Sequence, residues 1–374
     1  MVLSIKQVIL TSVLSVLAFA VQAQTQKVEV LEYHPAPGQF VNTLPAADEN
    51  STQDDVNQGC EEQLSGDGLV HLGTYGGYIT VKFDHPIENK PGSDILILGN
   101  GFYSNADPIY GKETIGGSIE PGIVYVGVGK NLEEAKWYEL AGSEYYTSEI
   151  HDFQITYYKP TAESGDHTQF RSLYDKYIKW ECSWTDKNGE HRDSTGYHMK
   201  NVSHKQTYWP IWEGKDELTF KGGKLPNNAI ETSGKGTYWI QYRYAKDAYG
   251  YVDASPATDS LYSSFDINWA VDDEGNQVVL DHIDFIRVKT GIFQYCGWLG
   301  ETSTEINSIA DLHLIEGYDD KPFVITPRQR PTTGIIRPTV NVVEDDVYYN
   351  LMGQRVLNLV KGHIYVHKGR KVIY

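Results

Sequence analysis

The stretch from Phe265 to Thr290, FDINWAVDDEGNQVVLDHIDFIRVKT, constrains the fold more than any other part of the chain. Phe265, Ile267, Trp269 and Val271 alternate with Asp266, Asn268 and Asp272, the period of two that marks a half-buried strand. The turn-forming run Asp273-Glu274-Gly275-Asn276 separates this segment from Val278 to Val288, whose near-continuous apolar character suits a strand covered on both faces. The pattern predicts a β-hairpin that puts Phe265, Trp269 and Val271 in the core.

Similar segments recur. Tyr78, Thr80 and Lys82 alternate with Ile79, Val81 and Phe83, Asp94 to Leu98 is a short apolar run after the Pro91-Gly92 turn, and Ile123 to Val128 follows Pro121. Trp137 to Leu140, Phe153 to Tyr158, Leu218 to Phe220 and Thr237 to Tyr242 add further aromatic strands. The 27 Tyr, 8 Trp and 35 Gly, against only 3 Met, favour strands and tight turns over helices. Roughly ten to twelve strands at turn-punctuated spacing predict an all-β chain, a β-sandwich or jelly roll, with a small C-terminal β-appendage. Helical periodicity is weak and confined to Leu132 to Ala135.

Composition divides the chain. Residues 1–23 contain Lys6, an apolar run from Val8 to Val21 and the small or apolar pair Val21 and Ala23, the pattern of a secretory signal peptide cut after Ala23. No Cys immediately follows that point, and no later segment approaches about eighteen consecutive apolar residues, so a secreted or cell-surface chain without a transmembrane segment is expected. Residues 24–59, with Pro35, Pro37 and Pro45, read as an extended leader. The sandwich is expected over 60–318 and carries a polar insertion at 159–214, the kind of segment where binding residues gather. A Pro-rich linker follows at 319–345, then a locally basic β module at 346–374.

Fifty Asp and Glu against 32 Lys and Arg give a net charge of −18. That charge repels phosphate backbones, so nucleic acid is excluded as a partner and cations or neutral molecules are favoured. Cys60, Cys182 and Cys296 leave two options open in an oxidising compartment, one bridge with a thiol left over or three buried thiols. Their spacing does not match a zinc site.

Two resemblances follow from quoted blocks. The tail, with Tyr349 to Val356 reading YNLMGQRV, Lys361 to Tyr365 reading KGHIY and a basic end from Lys368 to Tyr374, resembles the C-terminal sorting domains of proteins exported by type IX secretion. The body carries Gly76-Gly77-Tyr78-Ile79, Phe83-Asp84-His85-Pro86-Ile87, Gly99-Asn100-Gly101-Phe102, Glu120-Pro121-Gly122-Ile123-Val124 and Trp137-Tyr138-Glu139-Leu140. With Phe265-Asp266-Ile267, Trp269 to Asp272 and Cys296 to Glu301, it resembles a family of bacterial cell-surface proteins sometimes joined to PKD-type domains. The resemblance implies a surface-exposed β-sandwich, similar to carbohydrate-binding jelly rolls, in bacteria that import large nutrients through TonB-dependent receptors, with glycan or corrinoid capture as the class of role.

The residues themselves suggest two kinds of site. Asn100, Glu120, Asp266 and Asp272 offer oxygen donors at strand exits and turns, the set a Ca²⁺ site would need, although the same residue types also serve as local turn caps. Trp180, Trp184, Tyr208, Trp209, Trp212 and Tyr242 offer aromatic faces for a sugar ring or a flat macrocycle, while a sandwich core also consumes such rings. His191, His198 and His204 have no regular metal spacing. A non-enzymatic capture protein is the leading expectation. A hydrolase using two of Glu120, Glu139, Glu144, Asp266 and Asp272 as a carboxylate pair, and a structural or adhesive surface protein, are the alternatives.

Overall fold

The computed structural model describes residues 26–66, 68–103, 116–160, 176–199, 204, 206–231, 238–241, 247–296 and 300–328, together with 348–349, 355–356, 361, 364–367 and 370–373. The signal segment to Ala23, Tyr242 and residues 329–345 of the Pro-rich linker lie outside the described residues. The chain divides into two units, Met1–Arg330 and Pro331–Tyr374.

The larger unit is all-β, in several antiparallel sheets, and among the described residues it has twelve strands of four or more residues. One six-stranded sheet contains β1 (Glu29–His34), β2 (Tyr78–Lys82), β4 (Gly122–Val128), β5 (Lys136–Leu140), β11 (Ala270–Val271) and β12 (Phe285–Thr290), in the order β1-β2-β12-β4-β5-β11. Alternation decides which way each strand faces. Ile79, Val81, Val124, Val126, Ile286 and Val288 point into the main core with Tyr33, Leu140, Phe265 and Trp269. Burying such side chains contributes about 1.5–3 kcal/mol each relative to exposure.

A second sheet, in the order β8-β7-β6-β9, is built from β6 (Ile150–Tyr158), β7 (Lys176–Thr185), β8 (His191–Met199) and β9 (Glu217–Lys224). Its inner face holds Phe153, Ile155, Tyr157, Ile178, Leu218 and Phe220 around the buried Tyr75. A third sheet pairs β3 (Ile95–Leu98) with β10 (Ser264–Phe265) and β13 (Ser308–Asp311). The smaller unit contains a four-stranded antiparallel sheet of Tyr348–Tyr349, Arg355–Val356, Ile364–His367 and Arg370–Ile373.

Three expectations change. The arms of the predicted hairpin pair only beside its turn, through the Val271–Gln277 bridge and the Val278 N–H, which donates to the Ala270 carbonyl at 2.8 Å. Asp266 accepts from Asn268 N at 2.8 Å and caps a 3-10 turn at Ile267–Trp269, which bends the first arm. Phe265 then pairs with Ile95, and Val271 with Glu139. The second arm, β12, lies between β2 and β4, so its two covered faces are accompanied by two paired edges. Phe265, Ile267, Trp269 and Val271 are nevertheless all buried, as the alternation predicts.

The 24–59 segment is more than an extended leader. It contributes β1 to the main sheet and leads into the helix α1 (Gln53–Leu64), whose Thr52 and Asp55 form a reciprocal capping box. Val56, Cys60 and Leu64 seat α1 on the core. The 159–214 region is likewise no loop insertion where it is described, because β7 and β8 make half of the second sheet. Its polar composition follows from the outward positions of these strands; Lys179, Glu181, Arg192 and Asp193 are all exposed.

Two substitutions test this packing by urea denaturation. Phe265→Ala is expected to cost about 3–5 kcal/mol, because the ring is wholly buried in the main core. Thr52→Ala should cost about 1 kcal/mol through the lost cap alone. A smaller loss for Phe265 than for Thr52 would contradict the assignment of the core.

Candidate functional site

The four residues expected to hold a cation separate. Asp272 caps its own turn, accepting from Asn276 N at 2.7 Å and Glu274 N at 3.1 Å. Asp266 caps the 3-10 turn, and burial together with nearby Asp94 raises its carboxyl pKa to about 6. Both therefore act locally. Asn100 and Glu120, in contrast, lie next to Asp253 in one acidic region.

Asp253 receives Gly101 N at 2.8 Å on Oδ1 and Glu305 N at 3.3 Å on Oδ2, and its carbonyl accepts from Glu120 N at 2.9 Å. Ligand oxygens of Glu120, Asp253 and Glu305 lie within 4.8 Å of one another. Glu120 is half-buried, whereas Asp253 and Glu305 are 2% and 6% exposed. Burial, reinforced by the repulsion of Glu305, pushes the carboxyls of Glu120 and Asp253 well above the usual range. Burial moves Glu305 to about 7 and, with the repulsion of Glu305 added, Glu301 to about 8.

His71 and Ser303 border this region. Ser303 Oγ is 2.7 Å from His71 Nε2 and donates to Glu305 Oε1 at 2.9 Å. The grouping contains the residue types of a hydrolytic triad, but its hydrogen bonds run the other way. Gly73 N donates to His71 Nδ1 at 3.2 Å, so the proton of the neutral ring sits on Nε2 and points at Ser303. Such an imidazole cannot take the serine proton. Burial, with His204 nearby, lowers the His71 pKa to about 3 and keeps the ring neutral.

A second buried charged group lies on the other face of the six-stranded sheet. Lys289 Nζ is 3.4 Å from Tyr125 Oη and 3.5 Å from the Lys221 carbonyl, over the rings of Tyr75 and Tyr125. Burial lowers its pKa to about 8 and raises that of nearby Glu149 to about 7. Glu139 Oε1 and both oxygens of Glu149 are shut off from solvent. Gly222 and Gly223 cover this group, for a Cβ at Gly222 would meet Lys289 Nζ at 2.6 Å and one at Gly223 would meet Glu149 Oε1 at 2.0 Å.

The aromatic candidates divide between core and surface. Tyr208 is wholly buried, and Trp209 is 2% exposed with Nε1 donating to the Lys215 carbonyl at 3.1 Å, so both serve the core beneath β7. Trp212 is half-buried and stacks on Tyr33 at 6.0 Å. Tyr242 is outside the described residues. Trp180 and Trp184 remain half-buried on one face of β7, joined through two phenylalanines. Trp180 meets Phe293 at 5.0 Å, Phe293 meets Phe153 at 6.3 Å, and Phe153 meets Trp184 at 5.8 Å, which makes one continuous row. Gly196 faces Trp180 across the strands, and a Cβ there would lie 2.4 Å from the indole.

Sequence reading reached Asn100, Glu120, Trp180 and Trp184 but missed Asp253, Glu301, Glu305, Phe153 and Phe293. The three cysteines are unpaired and buried. Among the described residues, no helix is long and apolar enough to cross a membrane. No protein-family model and no curated protein matches the chain.

The raised pKa of Glu149 sets a pH dependence. A carboxyl that is easier to protonate when folded contributes stability below its unfolded value of 4.5 and loses it as pH rises to about 7. Chemical denaturation from pH 4.5 to 7 should therefore show a decline in stability that Glu149→Gln reduces. An identical pH profile in both proteins would contradict this account.

Proposed function

We propose that this chain is an exported, non-enzymatic protein that captures a neutral nutrient of the glycan or corrinoid class on the aromatic row of its second sheet. The observation that carries the reading is the row Trp180, Phe293, Phe153 and Trp184, which leaves two indoles and one phenyl ring partly open on a single sheet face. Sugar rings and flat macrocycles combine an apolar face with a polar rim, and a planar aromatic surface bordered by polar groups complements them. Lys224, whose ammonium lies 5.7 Å from the Phe153 ring centre, provides such a rim. The net charge of −18 favours an uncharged ligand over an anionic one.

Two further features favour binding over hydrolysis. The Ser303–His71 contact has the wrong proton direction for nucleophile activation, and the carboxyls of Glu139 and Glu149 are covered by β9. The leader pattern at residues 1–23 and the sorting-like tail support export to the cell surface, where handing the ligand to a TonB-dependent receptor system would complete the role.

A thermal-shift screen of the purified chain against a glycan panel and cobalamin tests the reading. A true ligand at 100 times its Kd should add about 2.7 kcal/mol of stability. Trp180→Ala and Trp184→Ala should each weaken binding about tenfold, the equivalent of about 1.4 kcal/mol per ring. If no member of the panel moves the melt, or if the double variant binds as well as the parent, the proposal is wrong.

A further inference from the structure

Among the described residues, the acids around Glu120 lack the positive charge that a packed interior calls for, and this observation stands apart from the aromatic row. Glu120 precedes β4, Asp253 lies in the loop before β10, and Glu305 lies in the short strand Glu305–Ile306. Their oxygens nevertheless converge within 4.8 Å. Among the described residues, no lysine or arginine forms an ion pair with any of the three. The one described imidazole in reach, His71 with Nε2 at 3.2 Å from Glu305 Oε1, already has Nδ1 accepting from Gly73 N and Nε2 engaged with Ser303 Oγ. A buried carboxylate without compensation costs several kcal/mol, so three at one point must share protons or surround a cation.

Unpartnered acceptors beside the cluster decide between these two states. Glu301 is 4% exposed, and its Oε1 lies 3.7 Å from the same His71 Nε2 that contacts Glu305. Among the described residues its Oε2 has no hydrogen-bond partner, and neither has Asn100 Oδ1. Asn100 is held at the cluster because its backbone N–H donates to Asp253. Buried acceptors normally find a donor, and an excess of acceptors over donors around one point matches the inner surface of a cation site. The backbone is shaped to the same end. Asp253 has φ of 53°, the only described non-glycine residue in the left-handed region, and Gly99 leaves room for its carboxylate, since a Cβ there would be 2.3 Å from Oδ1.

We propose that Glu120, Asp253 and Glu305 bind one hard divalent cation, calcium foremost, with the unpartnered oxygens of Asn100 and Glu301 beside it. The donor set contains only oxygen, which selects Ca²⁺, Mg²⁺ or Mn²⁺ over softer metals. Calcium is preferred because it takes about six to eight oxygens in loose geometry, as three carboxylates and an amide from separate segments can supply. Half-buried Glu120 provides the way in. Ser303 acts as a positioning residue, orienting the Glu305 carboxylate through the 2.9 Å bond to Oε1.

The test uses the full chain, dialysed against chelator, with elemental analysis before dialysis and calorimetric titration of Ca²⁺, Mg²⁺ and Mn²⁺ afterwards. We expect one cation per chain, a melting temperature lowered by EDTA and restored by Ca²⁺, loss of binding in Asp253→Asn and Glu305→Gln, and about 10–100-fold weaker binding in Ser303→Ala. Should the acid variants fail to fold, the titration of the parent chain and of Ser303→Ala still decides. A parent chain that carries no stoichiometric cation and melts identically with EDTA and with Ca²⁺ overturns the proposal. So does undiminished binding in folded Asp253→Asn or Glu305→Gln. Neither result depends on whether the aromatic row takes a sugar, since no glycan is present in the assay.

Discussion

The hydrogen bonds at the end of β12 hold the parts of this protein in their relative positions. Thr290 Oγ1 donates to the Gly73 carbonyl at 2.9 Å and accepts from Thr304 N at 3.2 Å. The backbone of Thr290 exchanges bonds with Gly76 and Gly77, and Gly291 N donates to the Pro121 carbonyl at 3.0 Å. Segments carrying His71, Glu120 and Glu305 are thus tied to one strand terminus. They are far apart in the chain, and without that anchor nothing local would bring three carboxylates together. The strand can act as an anchor because Ile286 and Val288 are packed in the main core on one face, while both its edges are paired.

The opposite face of β12 carries Arg287 and Lys289, and their surroundings show how this fold accommodates charge. Arg287 donates to Glu32 at 2.7 Å and to Thr80 at 2.8 Å, and its guanidinium lies 4.2 Å from the Trp137 ring centre and 4.7 Å from that of Tyr78. It is compensated in every direction, as a planar cation between aromatic faces can be. Lys289 is balanced by the neighbouring Glu139 and Glu149, which favour its charged form against the cost of burial. Among the described residues, the cluster at Glu120 has no such partner. That contrast within a single molecule gives the acidic cluster its interest, because the chain places basic side chains against buried acids where the acids must be neutralised by protein.

Much of the fold was legible because strand faces depend on a local period. Ile79 and Val81, and Phe265, Ile267, Trp269 and Val271, are all buried as their alternation indicates. Strand partners were not legible, because pairing is decided by distant segments competing for the same edge. With a short 3-10 turn at Ile267 the hairpin is confined to its tip, while Phe265 pairs with Ile95 and Val271 with Glu139. Helix α1 left only a faint signal, the spacing of Thr52 and Asp55, since its first turn is acidic and its buried face small. The site was half legible for the same reason. Asn100 and Glu120 sit at strand boundaries that punctuation reveals, whereas Asp253 and Glu305 are ordinary acids in ordinary loops until topology places them together. Among the aromatics, Trp180 and Tyr208 look alike in sequence, and only the sheet decides that one keeps an open face and the other none.

The two regions of interest share a structural element, the turn from His71 to Gly77. At one end, His71 contacts Glu301, Glu305 and Ser303. At the other, Tyr75 is buried under the second sheet, its hydroxyl donating to Gly222 at 2.9 Å and Phe153 at 3.3 Å, while Tyr157 donates back to the Tyr75 carbonyl at 3.0 Å. Phe153 is itself the middle of the aromatic row. The turn has little slack, because a Cβ at Gly73 would fall 1.9 Å from the Ala36 carbonyl oxygen and one at Gly77 1.8 Å from that of Leu72. Packed interiors leave few voids, so this one turn fixes the placement of His71 beside the acids and of Tyr75 beneath Phe153 at the same time.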